Sequence, residues 1–162
     1  MEQWQIQRSN GKCAGTGRTL QPEEEYYAAL VDKKNCFERC DYSLDYWQEN
    51  KPQVFCFWKT RILPLNQKKK IWVDDAILIN LFERLAEQQE SQKIHFRFVL
   101  ALILMRKRLL KYEDSQKDGE KEIWKMRFSR EKEIHQVINP HLEEEQIQQL
   151  AQELRTILQG EI

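Results

Sequence analysis

The fold is decided by residues 96–112, which read FRFVLALILMRKRLLKY. Residues 98–105 form an uninterrupted run of eight apolar side chains, and Arg97 and Arg106 end the run on either side. A membrane-spanning helix needs about 20 such residues, so the run indicates a helix buried inside a folded protein. Its centre is apolar in every direction, and a helix of that kind is enclosed by its neighbours. We therefore predict a helix from about Lys93 to Tyr112 that forms the centre of the fold.

Two further helices are predicted, one on each side of this stretch. The first begins where Asp74 or Asp75 can cap it and ends at Ser91. Its apolar residues recur with the 3.6-residue period of a helix. The last helix is predicted from about Glu143 to Gln159, with the clearest apolar stripe of the chain: Ile147, Leu150, Ala151, Leu154, Ile157 and Leu158. Between the last two helices, alternating apolar residues over 124–128 and 134–138 predict a β-hairpin.

Residues 1–73 are predicted to be rich in β-structure. Short strand candidates occur over residues 4–7, 26–31 and 35–41, and Ser43 can cap a single helical turn. The strongest strand is predicted over residues 54–62, where both faces begin with apolar side chains. A strand that is apolar on both faces is typical of the middle of a sheet, so we expect this one to be central.

The fold class that follows is α+β. A length of 162 residues suits one compact domain or two small modules. We expect a β-rich, zinc-ribbon-like module over residues 1–73, packed on a helix–helix–hairpin–helix module over residues 74–162, or the two sharing one core.

The four cysteines are Cys13, Cys36, Cys40 and Cys56. A zinc knuckle usually reads Cys-x-x-Cys-Gly, but Thr16 stands where the second cysteine would be. On a strand, Cys36 and Cys40 would lie about 13 Å apart, too far to share one ion. We therefore expect no metal and no other cofactor, with the thiols acting as small buried hydrophobes. Zinc held by these four residues is the alternative.

The N-terminal residues lack a basic region followed by an apolar run, so no secretory signal is expected. We expect a cytoplasmic protein with reduced cysteines and no membrane partner.

The charged residues balance, with 26 Lys plus Arg against 26 Asp plus Glu. A net charge of zero argues against a generally basic nucleic-acid binder. The signs are nevertheless segregated, because residues 59–70 and 93–111 contain bases and no acids. Such stretches predict faces for nucleic acid or for an acidic protein. The candidate interaction residues are Lys68, Lys69, Lys70, Arg106, Lys107 and Arg108.

No catalytic motif is present among those with a known mechanism: the chain has no His-Glu-x-x-His, no Gly-x-Ser-x-Gly and no dinucleotide fingerprint. No catalytic residue is therefore predicted. The leading interpretation is a non-enzymatic interaction or adaptor protein that binds another protein. The alternative is a nucleic-acid- or ribosome-associated protein that uses the segregated basic faces.

Three stretches together resemble a family of small cytoplasmic proteins of planctomycete-type bacteria for which no activity is known. They are Cys13–Arg18, Phe57–Arg61 and Phe96–Tyr112, of which the last is the most specific. The similarity extends over most of the chain. It implies a bacterial source and a cytoplasmic location. The pair Cys36 and Cys40 is not expected in the family's pattern, which weakens the zinc alternative further.

Overall fold

The computed structural model describes residues 5–7, 11–33, 36–62, 73–158 and 162. These residues form an α+β protein with seven strands and four helices, which confirms the predicted fold class. In chain order the elements are β1 (Gln5–Gln7), β2 (Glu25–Lys33), β3 (Cys36–Ser43), α1 (Leu44–Asn50), β4 (Cys56–Arg61), α2 (Asp75–Arg84), α3 (Ser91–Arg106), β5 (Leu110–Asp118), β6 (Lys121–Phe128), β7 (Ile134–Asn139) and α4 (Glu144–Leu158).

Contacts divide the chain into two compact units. The first is drawn from Met1–Trp72 and Thr156–Glu161, and the second from Val73–Arg155 and Ile162. The sequence-based division at residue 73 did not foresee that Thr156–Glu161 would group with the N-terminal residues. The apolar stripe of α4 runs unbroken into its last turn, so periodicity alone gives no sign of this change.

The first unit contains a four-stranded sheet in the order β1-β3-β2-β4. Strand β1 runs parallel to β3, and the other pairs are antiparallel. The prediction that β4 would be central is wrong, because β4 lies at the edge of the described sheet. Its second apolar face is only partly covered by a helix: the Trp47 ring of α1 lies 4.9 Å from the Phe57 ring of β4, which is still 47% exposed. The predicted cap of α1 is confirmed, since the Ser43 hydroxyl accepts from the Tyr46 N–H at 3.3 Å.

The second unit begins with the predicted helix α2. The Asp74 carboxylate accepts from the Ala76 N–H at 2.9 Å and so caps it. Its apolar stripe, Leu78, Leu81, Phe82 and Leu85, is buried as expected.

Helix α3 ends six residues earlier than predicted, at Arg106 and not at Tyr112. Arg108 takes a left-handed conformation, with φ of 62°, and β5 starts at Leu110. Leu110 is buried at the start of that strand. The apolar character that suggested a longer helix therefore belongs to a strand.

The second sheet is antiparallel with the order β5-β6-β7. Its β6–β7 pair confirms the predicted hairpin, but strand β5 was not predicted. After Leu110 every residue of β5 is exposed, so the strand has no apolar alternation to recognise. Backbone pairing with β6 holds it in place.

Arg97 is buried at the centre of the second unit. Its Nε donates to the Phe82 carbonyl at 3.1 Å, and its Nη1 donates to the Gln136 carbonyl at 2.7 Å. The guanidinium also lies 4.2 Å from the centre of the Phe82 ring. Burial lowers the pKa of Arg97 to about 10, so it stays a cation near neutral pH. Arg97 thus links the last turn of α2 to β7 and satisfies a helix-end carbonyl that has no partner within the helix.

Among the residues that the structure describes, no helix has both the length and the apolar content to cross a bilayer.

Candidate functional site

One face of the N-terminal sheet carries aromatic side chains. In β4, Cys56 and Trp58 are buried, whereas Phe57, Lys59 and Arg61 point to the other side and are exposed. The strand pairing places Tyr27 and Tyr42 on the same side as Lys59. Helix α1 adds Tyr46 and Trp47 above them. We call these five rings the aromatic face: Tyr27, Tyr42, Tyr46, Trp47 and Phe57.

The rings of the aromatic face support one another. Tyr27 stacks on Trp47 with 4.7 Å between ring centres, and Tyr42 stacks on Tyr46 at 5.6 Å. Phe57 contacts both Trp47, at 4.9 Å, and Tyr27, at 6.0 Å. Although it is held from behind in this way, Phe57 is 47% exposed. Phe57 is therefore an apolar ring that its neighbours hold in one position and whose outer side is exposed to solvent.

Two cations follow Phe57 on the same face of β4 and share one carboxylate. Glu25 accepts a hydrogen bond from Arg61 at 3.0 Å and forms an ion pair with Lys59 at 3.2 Å. The hydrogen bond from Arg61, followed by that from Lys59, lowers the pKa of Glu25. These three charges sum to plus one on the face of β4 that carries Phe57.

The turn from Cys13 to Arg18 supports the aromatic face from below α1. The Cys13 sulfur is buried and accepts from the N–H of Ser43, the residue that caps α1, at 3.3 Å. Gly15 lies against the Tyr46 ring so closely that any Cβ would overlap it. Gly17 adopts φ of 76°, a conformation that suits glycine. These glycines therefore serve packing and backbone geometry.

The environment of Cys13 favours its thiolate. Burial raises the pKa of the thiol, but hydrogen bonds from the side chains and backbones of Thr16 and Ser43 together lower it more, to about 7. The groups that lower this pKa thus belong to Thr16, in the same turn, and to Ser43, which caps α1.

The structure does not bring the four cysteines together. Cys40 pairs with Ala29 and Cys56 pairs with Leu30. Because successive residues of β2 face opposite sides, Cys40 and Cys56 point to opposite faces of the sheet. Cys36 and Cys40 lie four residues apart on one continuous strand, as in the spacing that argued against a shared ion. Cys13, Cys40 and Cys56 are thiols and not disulfides.

The structure describes three of the six predicted basic interaction residues. Lys68, Lys69 and Lys70 lie outside the described residues. At the end of α3, the Lys107 ammonium pairs with Asp75 at 3.1 Å. Arg106 donates to the Ile162 carbonyl at 2.6 Å, and Arg108 is exposed.

One group of ligand-type side chains converges within the described part of the chain. Ligand atoms of Glu131, Glu133 and His135 lie within 4.8 Å of one another. Both glutamates are exposed, and the His135 ring packs against Phe82 and Phe128. His135 therefore lies at the edge of the core with two exposed carboxylates beside it. Such groups are common in proteins without a bound ion.

The aromatic face escaped the sequence analysis because its aromatic residues resembled ordinary core positions. The usable signal was the alternation of β4, which places Phe57 on the same side as Lys59 and Arg61. An aromatic residue that shares one face of a strand with cations indicates a ring at the protein surface.

Comparison of the chain with family models, curated proteins and solved structures gave no match. The fold and the site define an α+β protein with an aromatic face whose rings support one another and on which Phe57 is exposed.

Proposed function

We propose that the chain is a non-enzymatic interaction protein of the cytoplasm whose aromatic face binds another protein. The observation that carries this proposal is Phe57, which is half exposed yet fixed by Trp47 and Tyr27. Protein interfaces concentrate their binding energy in a few residues, and aromatic side chains are enriched at interface cores. A ring that is already immobilised loses little conformational entropy when a partner covers it.

The charges beside Phe57 define the chemistry of the partner. Lys59 and Arg61 exceed Glu25 by one positive charge. We expect a partner segment with an apolar pocket for Phe57 and a carboxylate that adds to this group of charges. The pocket supplies most of the affinity, and the charge supplies orientation and a faster encounter.

The thiols support the proposed compartment. Cys13, Cys40 and Cys56 are not in disulfides, and the reducing cytoplasm maintains that state.

Nucleic-acid binding is the second candidate, and one observation favours it. Proteins that bind single-stranded nucleic acids also stack bases on aromatic rings and neutralise the phosphates with nearby cations. It ranks second because both cations already share Glu25, and because Lys107 at the other predicted basic cluster pairs with Asp75.

The test compares Phe57→Ser with Ile134→Ser. Ile134 is 45% exposed and lies in the second unit, so it is a matched loss of an exposed apolar side chain. Each tagged variant is expressed in the cells in which the protein naturally occurs, and it is purified once with and once without nuclease treatment. We expect a bound protein that survives nuclease, stays with Ile134→Ser and is lost from Phe57→Ser.

The captured protein is then purified and its dissociation constant is measured directly. We expect Phe57→Ser to weaken binding at least about tenfold, as for a loss of 1.4 kcal/mol or more. Equal binding by both variants would contradict the proposal. Binding that disappears with nuclease would promote the nucleic-acid alternative.

A further inference from the structure

Strand β4 forms an edge of the N-terminal sheet. In the order β1-β3-β2-β4 it pairs with β2 on one side, and no strand of the described residues lies on its other side. The backbone N–H and C=O groups along such an edge can pair with a strand from another chain. The strand that carries Phe57 therefore offers backbone groups to a partner as well as side chains.

One hydrogen bond at the end of β4 shows which of its backbone groups point outward. The Ile62 N–H donates to the Glu24 carbonyl at 3.0 Å, so these two residues occupy a hydrogen-bonded position of the β2–β4 pair. Hydrogen-bonded and non-hydrogen-bonded positions alternate along an antiparallel pair. Positions 56, 58 and 60 therefore bond to β2. The backbone groups of the alternate residues point away from β2, and these residues are Phe57, Lys59 and Arg61.

The outward backbone groups are unpaired among the residues that the structure describes. No backbone hydrogen bond beyond those of the helices and strands involves Phe57, Lys59 or Arg61. All three residues are exposed. Each carries one N–H donor and one C=O acceptor, so this edge can form hydrogen bonds of both kinds with an added strand.

The same three residues carry the side chains of the aromatic-face side of β4. Phe57 is followed there by Lys59 and Arg61, whose two charges face the one carboxylate of Glu25. Residues directly opposite each other in an antiparallel pair lie on the same side of the sheet and interact. A strand with an apolar residue opposite Phe57 and acidic residues opposite the two cations would extend both the sheet and the aromatic face.

We infer that the partner of the aromatic face binds as an additional strand, antiparallel to β4, with apolar and acidic residues on the side of Phe57. This inference rests on the proposed function, because it states how that partner is held. Antiparallel pairing is the arrangement that β4 already has with β2. Backbone hydrogen bonds hold the added segment, and its side chains make it specific. A second copy of β4 is a poorer occupant, since pairing about Lys59 places like charges opposite each other.

The probe is the peptide Thr-Glu-Thr-Glu-Thr-Val-Thr with both ends blocked, titrated against the full chain. In the antiparallel register its valine lies opposite Phe57, and its glutamates lie opposite Lys59 and Arg61. The N–H groups of these three peptide residues point toward β4, and those of the threonines between them point away. N-methylation of the central glutamate should therefore weaken binding at least about tenfold, whereas N-methylation of the threonine after it should change the affinity by less than about threefold.

A second peptide tests the charge of the partner. Thr-Lys-Thr-Lys-Thr-Val-Thr has the same backbone and the same valine, but it places cations opposite Lys59 and Arg61. We expect it to bind at least about tenfold more weakly, because like charges directly opposite each other are destabilising. Equal affinity for the two peptides would refute the acidic chemistry assigned to the partner.

Two variants of the chain test the edge from the other side. Lys59→Pro removes the outward N–H, and proline is tolerated on an edge strand where that N–H faces solvent. Lys59→Ala removes the same cation and keeps the N–H. We expect Lys59→Pro to bind the first peptide at least about fivefold more weakly than Lys59→Ala does. Circular dichroism establishes that both variants are folded, and if Lys59→Pro is not, the two N-methylated peptides decide the question with the wild-type chain.

The outcomes separate this inference from the proposed function. Equal binding of the two N-methylated peptides, or no binding of the unmodified peptide up to about 1 mM, would overturn strand addition while Phe57→Ser still tests the aromatic face. Sensitivity to the position of the N-methyl group without any loss in Phe57→Ser would support strand addition and contradict the role of the aromatic face. A dimer of the chain that Lys59→Pro separates would place a second copy on the edge and overturn the inference.

Discussion

Replacing Arg39 by methionine should remove much of the stability of the first unit. The side chains of Arg39 and Asp41 are each 1% exposed, and Arg39 Nε donates to Asp41 Oδ1 at 3.1 Å. The guanidinium also donates to the Tyr26 hydroxyl at 3.2 Å and to the Ile157 carbonyl in the last turn of α4. It lies 5.5 Å from the centre of the Trp58 ring. One cation thus serves three acceptors in the core of this unit.

The magnitude follows from what the substitution leaves behind. In Arg39→Met the Asp41 carboxylate stays buried without its cation, and breaking a buried pair in this way costs about 3–5 kcal/mol. Burial raises the pKa of Asp41 and Arg39 lowers it, with a net increase, so the pair's attraction does not offset the burial of the carboxylate. Replacing both residues by apolar ones should therefore cost less than removing the cation alone. We expect Arg39→Met/Asp41→Leu to be at least about 2 kcal/mol more stable than Arg39→Met.

The assay is urea unfolding followed by tryptophan fluorescence, to which Trp58 above Arg39 contributes directly. The variants are Arg39→Met, Asp41→Leu and the double variant, which together form a double-mutant cycle. The pH dependence gives a second measurement. Asp41 without Arg39 has a pKa raised further, so protonation relieves its penalty as pH falls, and the gap between wild type and Arg39→Met should narrow from pH 8 to pH 5.

A cost below about 1 kcal/mol for Arg39→Met would refute this reasoning, because it would mean that water reaches the pair. A double variant as unstable as the sum of the two single variants would show that the two charges do not interact. A gap that is constant between pH 8 and pH 5 would show that Asp41 does not carry the penalty.

Two further predictions concern α3 and Cys13. Leu104 is fully buried and Leu102 is only half-buried, so Leu104→Ala should cost about 2–5 kcal/mol and Leu102→Ala at least about 1 kcal/mol less, measured by thermal unfolding. Equal losses would mean that Leu102 is as enclosed in solution as Leu104. The pKa of Cys13 is lowered from 9.0 to about 7, so its thiolate contributes stability that is complete above about pH 9 and lost as pH falls through 7. Wild type under reducing conditions should therefore gain about 2 kcal/mol over Cys13→Ser between pH 6.5 and pH 9; a constant difference would show that the thiol stays protonated.

Local features of the fold were predictable and long-range ones were not. Ser43 and Asp74 could be predicted as N-caps because an N-cap hydrogen bond involves only the cap and the first turn of the helix that follows it. A central position was predicted for β4 because both of its faces begin with apolar residues. The sequence of a strand does not show what packs against its second face. Strand β5 could not be found by periodicity because eight of its nine residues are exposed.

The site was less predictable than the fold, since exposure depends on which neighbours pack nearby. Phe57 and Trp58 are adjacent aromatic residues, yet one is 47% exposed and the other 8%. The predicted basic residues show that exposed charge is equally hard to predict from sequence. A run without acids suggested an open basic face, but Asp75 lies 32 residues before Lys107 in the sequence and pairs with it in the fold.

The turn from Cys13 to Arg18 connects the sequence motif to the site. Its cysteine and glycines partly match a zinc knuckle, and its contacts lead instead to α1. Cys13 accepts from the backbone of Ser43, which caps that helix, and Gly15 leaves room for Tyr46 on its first turns. The same helix places Trp47 behind Phe57. The residue types of the motif are therefore explained by the support they give to the aromatic face, whose rings follow the turn by 9 to 44 residues in the chain.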